Sequence, residues 1–218
     1  MTETAAPAAP VEITDRDVQL HGSCIARTLL RLAGWRLLFD GLPARQGVAV
    51  VYPHTSNWDF VVGMLAKWGI GIAVTFWGKD SLFRVPLFGR WLRWVGGVPV
   101  RRHTRQGAVA DMVERMADAK AAGRFLWLAL APEGTRSAGH GWRSGFYQVA
   151  TGADVPVALV VLDFAARRVG IVSCLQLCGH PDADMAAIAQ RLGGCSGARP
   201  DQAAPIRLLS PPHTGHDR

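Results

Sequence analysis

A chain of 218 residues is long enough to bury one sizeable core without disulfide or metal staples. Hydrophobic residues at 49% and charged residues at 19% exclude an intrinsically disordered chain, and a mean hydropathy of +0.13 predicts a surface that keeps some apolar area in contact with solvent or lipid. The net charge of +7 and pI near 9.9 point to anionic partners, but charge alone does not choose among nucleic acid, anionic lipid and phosphorylated substrates.

Residues 1–17 are acidic and rich in Ala and Pro, with no basic stretch leading into an apolar one. They read as a disordered leader rather than a secretory signal. Residues 18–46 form a region built around an amphipathic helix predicted from Ser23 to Phe39, where Ile25, Leu29, Leu32, Trp35 and Phe39 recur at near-helical spacing among Arg27, Arg31 and Arg36. Such a helix can lie in a membrane interface, apolar face in the acyl boundary and arginines on lipid phosphates, or it can pack on the core. No apolar stretch approaches the roughly 18–20 residues that cross a bilayer.

From Gly47 the pattern alternates. Gly47 to Tyr52 is a β-branched run that predicts a buried strand ending at Pro53 and His54. A helix is expected from Thr55 to Trp68, a strand from Ile70 to Trp77, an aromatic-rich helix from Val85 to Val95, a strand from Gly96 to Arg101, a helix from Gln106 to Ala121 and a strongly apolar strand from Arg124 to Ala131. A loop over Glu133 to Ser144 leads to a short helix at Phe146 to Ala150. Val155 to Phe164 and Val169 to Leu177 read as a hairpin, and Pro181 opens a last helix running to Leu192, with Asp182 suited to its dipole. The alternation predicts one α/β domain over 47–193, a mixed and mostly parallel sheet flanked by helices. Residues 194–218 read as a loosely ordered, Pro-rich tail.

Four cysteines at 24, 174, 178 and 195 form no regular framework, which predicts free thiols and a reducing compartment. Cys174, Cys178, His180 and Cys195 lack the paired short spacing of a structural zinc site, so no metal is expected.

Two segments carry chemistry. In His54-Thr-Ser-Asn-Trp-Asp59, a chain leaving a strand at His54 and turning into a helix can bring Asp59 back onto the imidazole. The carboxylate then accepts the Nδ1 proton and leaves Nε2 to take a proton from an attacking hydroxyl. The spacing alone is weak, and a helix-entry Asp beside a solvated His fits it as well. Ala131-Pro-Glu-Gly-Thr-Arg-Ser137 follows another strand, which places Glu133 and Arg136 at a strand's C-terminal end, where open α/β sheets bind ligands. Gly134 permits close backbone approach, and Arg136 offers a planar fork suited to phosphate oxygens. Glu133 can serve the ligand or form an ion pair with a neighbouring arginine. No Gly-x-Ser-x-Gly elbow is present, and Gly78-Lys79-Asp80 lacks the spacing of a P-loop.

Taken in order, His54–Asp59 followed by Pro-Glu-Gly-Thr-Arg-Ser resembles the glycerolipid acyltransferase family that includes the lysophosphatidic acid (1-acyl-sn-glycerol-3-phosphate) acyltransferases. Gly78 to Gly89 and Gly96-Gly-Val-Pro-Val-Arg-Arg102 resemble its second block, Trp142-Arg-Ser-Gly145 its Phe-Lys-x-Gly segment, and Val155-Pro-Val157 its last block. The resemblance runs over roughly Val48 to Asp163, with weaker similarity through Leu208. It implies that 47–193 is an acyltransferase domain, that His54 and Asp59 are the catalytic base and its orienter, and that Glu133, Gly134, Thr135, Arg136 and Arg102 bind the acceptor. Lys79 is either a further contact or a solvated lysine. The implied reaction passes a fatty acyl group from acyl-CoA or acyl–acyl carrier protein, as co-substrate rather than cofactor, to a lysophospholipid hydroxyl during phospholipid biosynthesis. The setting expected is peripheral, on the cytoplasmic face of an anionic membrane, without nucleic acid.

Three positions depart from the family: Arg101 stands where Asp is usual, Ala131 replaces an aromatic residue, and Leu159 replaces a proline. They leave the headgroup open, so a lyso-aminolipid acceptor, or an idle lipid-binding protein of the same fold, stays an alternative.

Overall fold

β3 (Gln46–Tyr52) is buried along nearly its whole length, as expected of a parallel strand covered on both faces, and it lies at the middle of the sheet. The computed structural model describes residues 9–100 and 105–209. One side of β3 pairs in parallel with β6 (Leu126–Leu130), which leads outward to β4 (Val74–Lys79) and β5 (Gly97–Val100). The other side pairs in parallel with β7 (Val157–Asp163), which turns back antiparallel into β8 (Arg168–Gln176). The described residues therefore form an eight-stranded, mostly parallel sheet in which β1 (Val11–Glu12) and β2 (Arg36–Leu38) both line the outer edge of β8. This is the predicted α/β class.

Helices cover both faces. On one side α5 (Arg105–Ala121), α6 (Gly145–Gly152) and α7 (Pro181–Leu192) bury Met112, Met116, Phe146, Val149 and Ile188 against β3 and β7. On the other, α1 (Cys24–Leu32) and α2 (Trp58–Ile70) contribute Leu30, Val62 and Ala66. Two short helices, α3 (Asp80–Phe83) and α4 (Pro86–Trp94), follow β4.

Helix α1 is shorter than expected. Gly34 takes a left-handed φ of 78°, which ends the helix in the manner that favours glycine. Trp35 then packs edge-on against Phe164, with ring centroids 4.9 Å apart, and Arg36–Leu38 becomes a strand instead of a last helical turn. The boundary between α2 and β4 also shifts: Gly71 at φ 83° is the helix cap, so Ile70 closes the helix rather than opening the strand.

Residues 9–17 of the leader and 194–209 of the tail correct the expectation from composition; the remainder of both lies outside the described residues. Within residues 9–17, Val11–Glu12 pairs with β8, Ile13 N–H donates to Cys174 O at 2.9 Å, and the Glu12 carboxylate accepts from Ser173 Oγ at 2.9 Å and Arg191 at 2.6 Å. The donors and acceptors on the outer edge of β8 need partners, and the leader supplies them. Residues 194–209 are likewise packed, with Leu208 bridging Trp142 and a 3₁₀ turn at Pro200–Gln202.

Candidate active site

The parallel register sets Val50 beside Leu130, so β3 and β6 end together and deliver His54 and the Glu133 loop side by side. This is where ligands sit in open α/β sheets, beyond the carboxyl ends of the strands.

His54 leaves β3 with its imidazole partly exposed, at 21%, over an almost fully buried Asp59. Its Nδ1 lies 3.2 Å from Asp59 Oδ2. The same oxygen accepts the N–H groups of Thr55 at 2.6 Å and Ser56 at 2.7 Å. Asp59 stands in the first turn of α2, where a carboxylate meets both otherwise unpaired N–H groups and the positive end of the dipole. The local sequence thus folds the carboxylate back under the histidine that precedes it. With Nδ1 facing a carboxylate, Nε2 is the nitrogen left to exchange a proton with a substrate.

Glu133 lies deeper than expected of an acceptor ligand. It is 4% exposed, and its two oxygens hold two main-chain donors, His54 N–H on Oε2 at 2.6 Å and Ala204 N–H on Oε1 at 2.9 Å. Among the described residues it forms no ion pair with an arginine. Burial pushes its carboxyl above the usual range, while the two donated hydrogen bonds oppose the shift and the nearby Asp59 adds to it.

Beyond Glu133 the loop turns outward. Gly134 has a left-handed φ of 66°, and a Cβ placed there would collide with the Nε and Cδ of Arg143. The close approach at this glycine is therefore made by the chain's own arginine. Arg136 and Arg143 are both exposed, and no carboxylate among the described residues pairs with either. Thr135 is exposed, and its hydroxyl accepts Ser137 N–H at 3.3 Å. Lys79 is exposed at the end of β4; Phe76 pairs with Ala129, three residues before Lys79 and Pro132 respectively, so Lys79 stands level with this loop. Arg102, expected to contact the acceptor, lies outside the described residues.

Cys174 is buried, Cys178 and Cys195 are half-buried, and all four cysteines are free thiols. Among the described residues no group of three or more His, Cys, Asp or Glu side chains is gathered closely enough to hold a metal ion.

Two contributors escape a reading of the sequence. Arg143 falls within a recognisable segment, but its place across Gly134 depends on the fold. The tail residues around Ala204 carry no local signal, since Gly and Pro content reads the same in a loose segment and a docked one.

A family model described as Acyltransferase matches residues 39–163. No curated protein sequence matches the chain. Among solved structures, the 1-acyl-sn-glycerophosphate (LPA) acyltransferase PlsC from Thermotoga maritima is similar, with 18% sequence identity and a TM-score of 0.43 over 68% of this chain. The chain covers 65% of that structure's length.

Proposed function

The chain belongs to the acyltransferase family, and from that premise we propose that it transfers a fatty acyl group from acyl-CoA or acyl–acyl carrier protein to the hydroxyl of a lysophospholipid-type acceptor, 1-acylglycerol-3-phosphate foremost. The observation that carries this reading is the partly exposed imidazole of His54 with Nδ1 held 3.2 Å from a buried carboxylate, set beside a loop whose arginines have no carboxylate partner among the described residues.

In the proposed reaction the acceptor O–H gives its proton to His54 Nε2 as its oxygen bonds to the thioester carbonyl carbon. The tetrahedral intermediate then collapses, the C–S bond breaks, and the departing thiolate takes the proton back from the imidazolium. Asp59 balances the transient positive charge on the ring. Incubating the purified protein with labelled acyl-CoA or acyl–acyl carrier protein and a panel of lyso-lipids, followed by mass spectrometry, tests it. A new ester on the anionic lyso-lipid is expected; absence of acyl transfer to every acceptor rejects the reading.

Arg136 and Arg143 suit an anionic headgroup, because guanidinium groups donate paired, charge-assisted hydrogen bonds to phosphate oxygens. Hydrogen bonds to charged groups contribute about 1.5–3 kcal/mol, so Arg136→Ala and Arg143→Ala are each expected to raise acceptor KM by roughly tenfold or more, with kcat little changed. Steady-state kinetics with varied acceptor checks this, and an unchanged KM removes the residue from headgroup binding.

The reading also sets the enzyme on the cytoplasmic face of an anionic membrane. Helix α1 exposes Ile25, Leu29 and Leu32 next to exposed Arg27 and Arg31, and α4 exposes Leu87, at 83%, and Trp94 among Arg84, Arg90 and Arg93. Phe83, just before α4, is buried. No helix of the described residues is long and apolar enough to cross a membrane. An interfacial surface of this kind binds by apolar burial plus attraction to anionic lipid. Sedimentation with anionic vesicles at low salt is expected to carry the protein into the pellet, and charge reversals Arg27→Glu and Arg31→Glu to weaken this. Recovery of the wild type in the supernatant at low salt rejects the membrane assignment.

A further inference from the structure

Residues 194–209 lie beyond the segment matched by the family model, which ends at 163, yet they cross the carboxyl ends of the strands that carry the site. Four contacts tie them there. Ser196 O accepts Phe164 N–H at 2.8 Å at the end of β7. Thr55 Oγ1, one residue past His54, accepts Arg199 N–H at 3.1 Å. Ala204, 1% exposed, donates its N–H to Glu133 Oε1 at 2.9 Å and accepts on its carbonyl from Tyr52 Oη at 3.2 Å. At Gly197 the strap passes so close that an added Cβ would stand 2.6 Å from Thr55 Oγ1.

These contacts form a chain of support. Ala204 N–H fixes one oxygen of Glu133, which leaves the other aimed at the N–H of His54, while Arg199 N–H holds the next residue by its hydroxyl. We infer that this C-terminal strap is the positioning element for the His54 base, acting through Glu133 as a buried relay rather than as a contact to the acceptor. The inference rests on the acyl-transfer reading for its kinetic consequence and on geometry alone for its structural one. A general base must be held within a fraction of an ångström of its working position, and the strap reaches the His54 N–H through Glu133 and the Thr55 hydroxyl directly.

Such a role makes kcat sensitive to groups far from any substrate, with acceptor affinity unaffected. Cys195 offers a ligation junction, so the full chain can be assembled from residues 1–194 and a synthetic 195–218 carrying lactic acid in place of Ala204. The ester keeps the methyl group and replaces the N–H donor with an ester oxygen. The expected result is a fall in kcat of about ten- to a hundredfold with acceptor KM within about twofold, accompanied by faster hydrogen exchange at the amides of His54 and Thr55. Gly197→Ala, which forces the strap off Thr55, is expected to give the same kinetic pattern in a protein made without ligation. Raised KM at unchanged kcat would overturn the relay and return Glu133 to acceptor binding; unchanged kcat and unchanged exchange would overturn the strap itself. Should the natural protein esterify no acceptor, the exchange measurement alone decides: faster exchange in the ester protein supports the clamp, and equal exchange rejects it.

Discussion

His54→Ala is expected to lower kcat for acyl transfer by about 10²–10⁴-fold, the usual contribution of a positioned base, while the protein keeps its fold. The reason for the second half lies in how the residue is held. Its link to Glu133 is made by the main-chain N–H, which alanine retains, and its imidazole is partly solvent-exposed, so truncation leaves no sizeable cavity. Acceptor KM should change little, because the proton is transferred only as the hydroxyl attacks. A near wild-type kcat from a cleanly folded His54→Ala protein would remove this imidazole from the mechanism. Thermal denaturation of the same preparation shows whether folding has been kept.

How far the sequence discloses this site depends on the range of the contact concerned. The β3 run is legible because an unbroken β-branched stretch has few other homes than a covered parallel strand. His54–Asp59 is legible because both ends of the pair fall within one strand-to-helix turn, a local geometry. The alternation of strands and helices likewise announces a mostly parallel sheet. Helix α1 is over-extended in the sequence reading because the apolar spacing continues through Trp35 and Phe39, although Gly34 ends the helix and Trp35 is there to meet Phe164. Periodicity records which residues are apolar, not which neighbour they cover.

Glu133 and Ala204 show the opposite limit. Glu133 follows a strand and precedes Gly134 and Arg136, surroundings that suit a ligand contact, yet its partner is an amide 71 positions away. Nothing local marks that partner. Composition is a guide to whether a segment can build its own core, and residues 194–209 build none; they dock on a core that already exists. The same reasoning explains the leader, where Val11–Glu12 is ordered by the vacant edge of β8 rather than by its own propensity.

Substitutions at Asp59 should separate its two tasks. Its Oδ2 receives the N–H groups of Thr55 and Ser56 and faces His54 Nδ1, so one atom both shapes the turn and, in the proposed mechanism, serves the base. Asp59→Asn can keep an oxygen at that point and preserve the turn, but it removes the negative charge that steadies the ring once it has taken a proton. A loss in kcat of about 10²–10⁴-fold is expected, with a smaller fall in Tm than in Asp59→Ala. The replaced Oδ1 is buried and has no partner among the described residues, so the new amide nitrogen finds no acceptor there and its buried N–H groups cost about 1–3 kcal/mol. Asp59→Ala should be as inactive and measurably less stable, because two N–H groups in the turn that leads into α2 lose their acceptor at about 1–3 kcal/mol each, with about 2–4 °C of Tm for each kcal/mol in a chain of this size. Paired kinetics and calorimetry on the two variants check the split. An active Asn variant would leave Asp59 as a turn-former only, and an alanine variant as stable as wild type would mean that the turn holds without it.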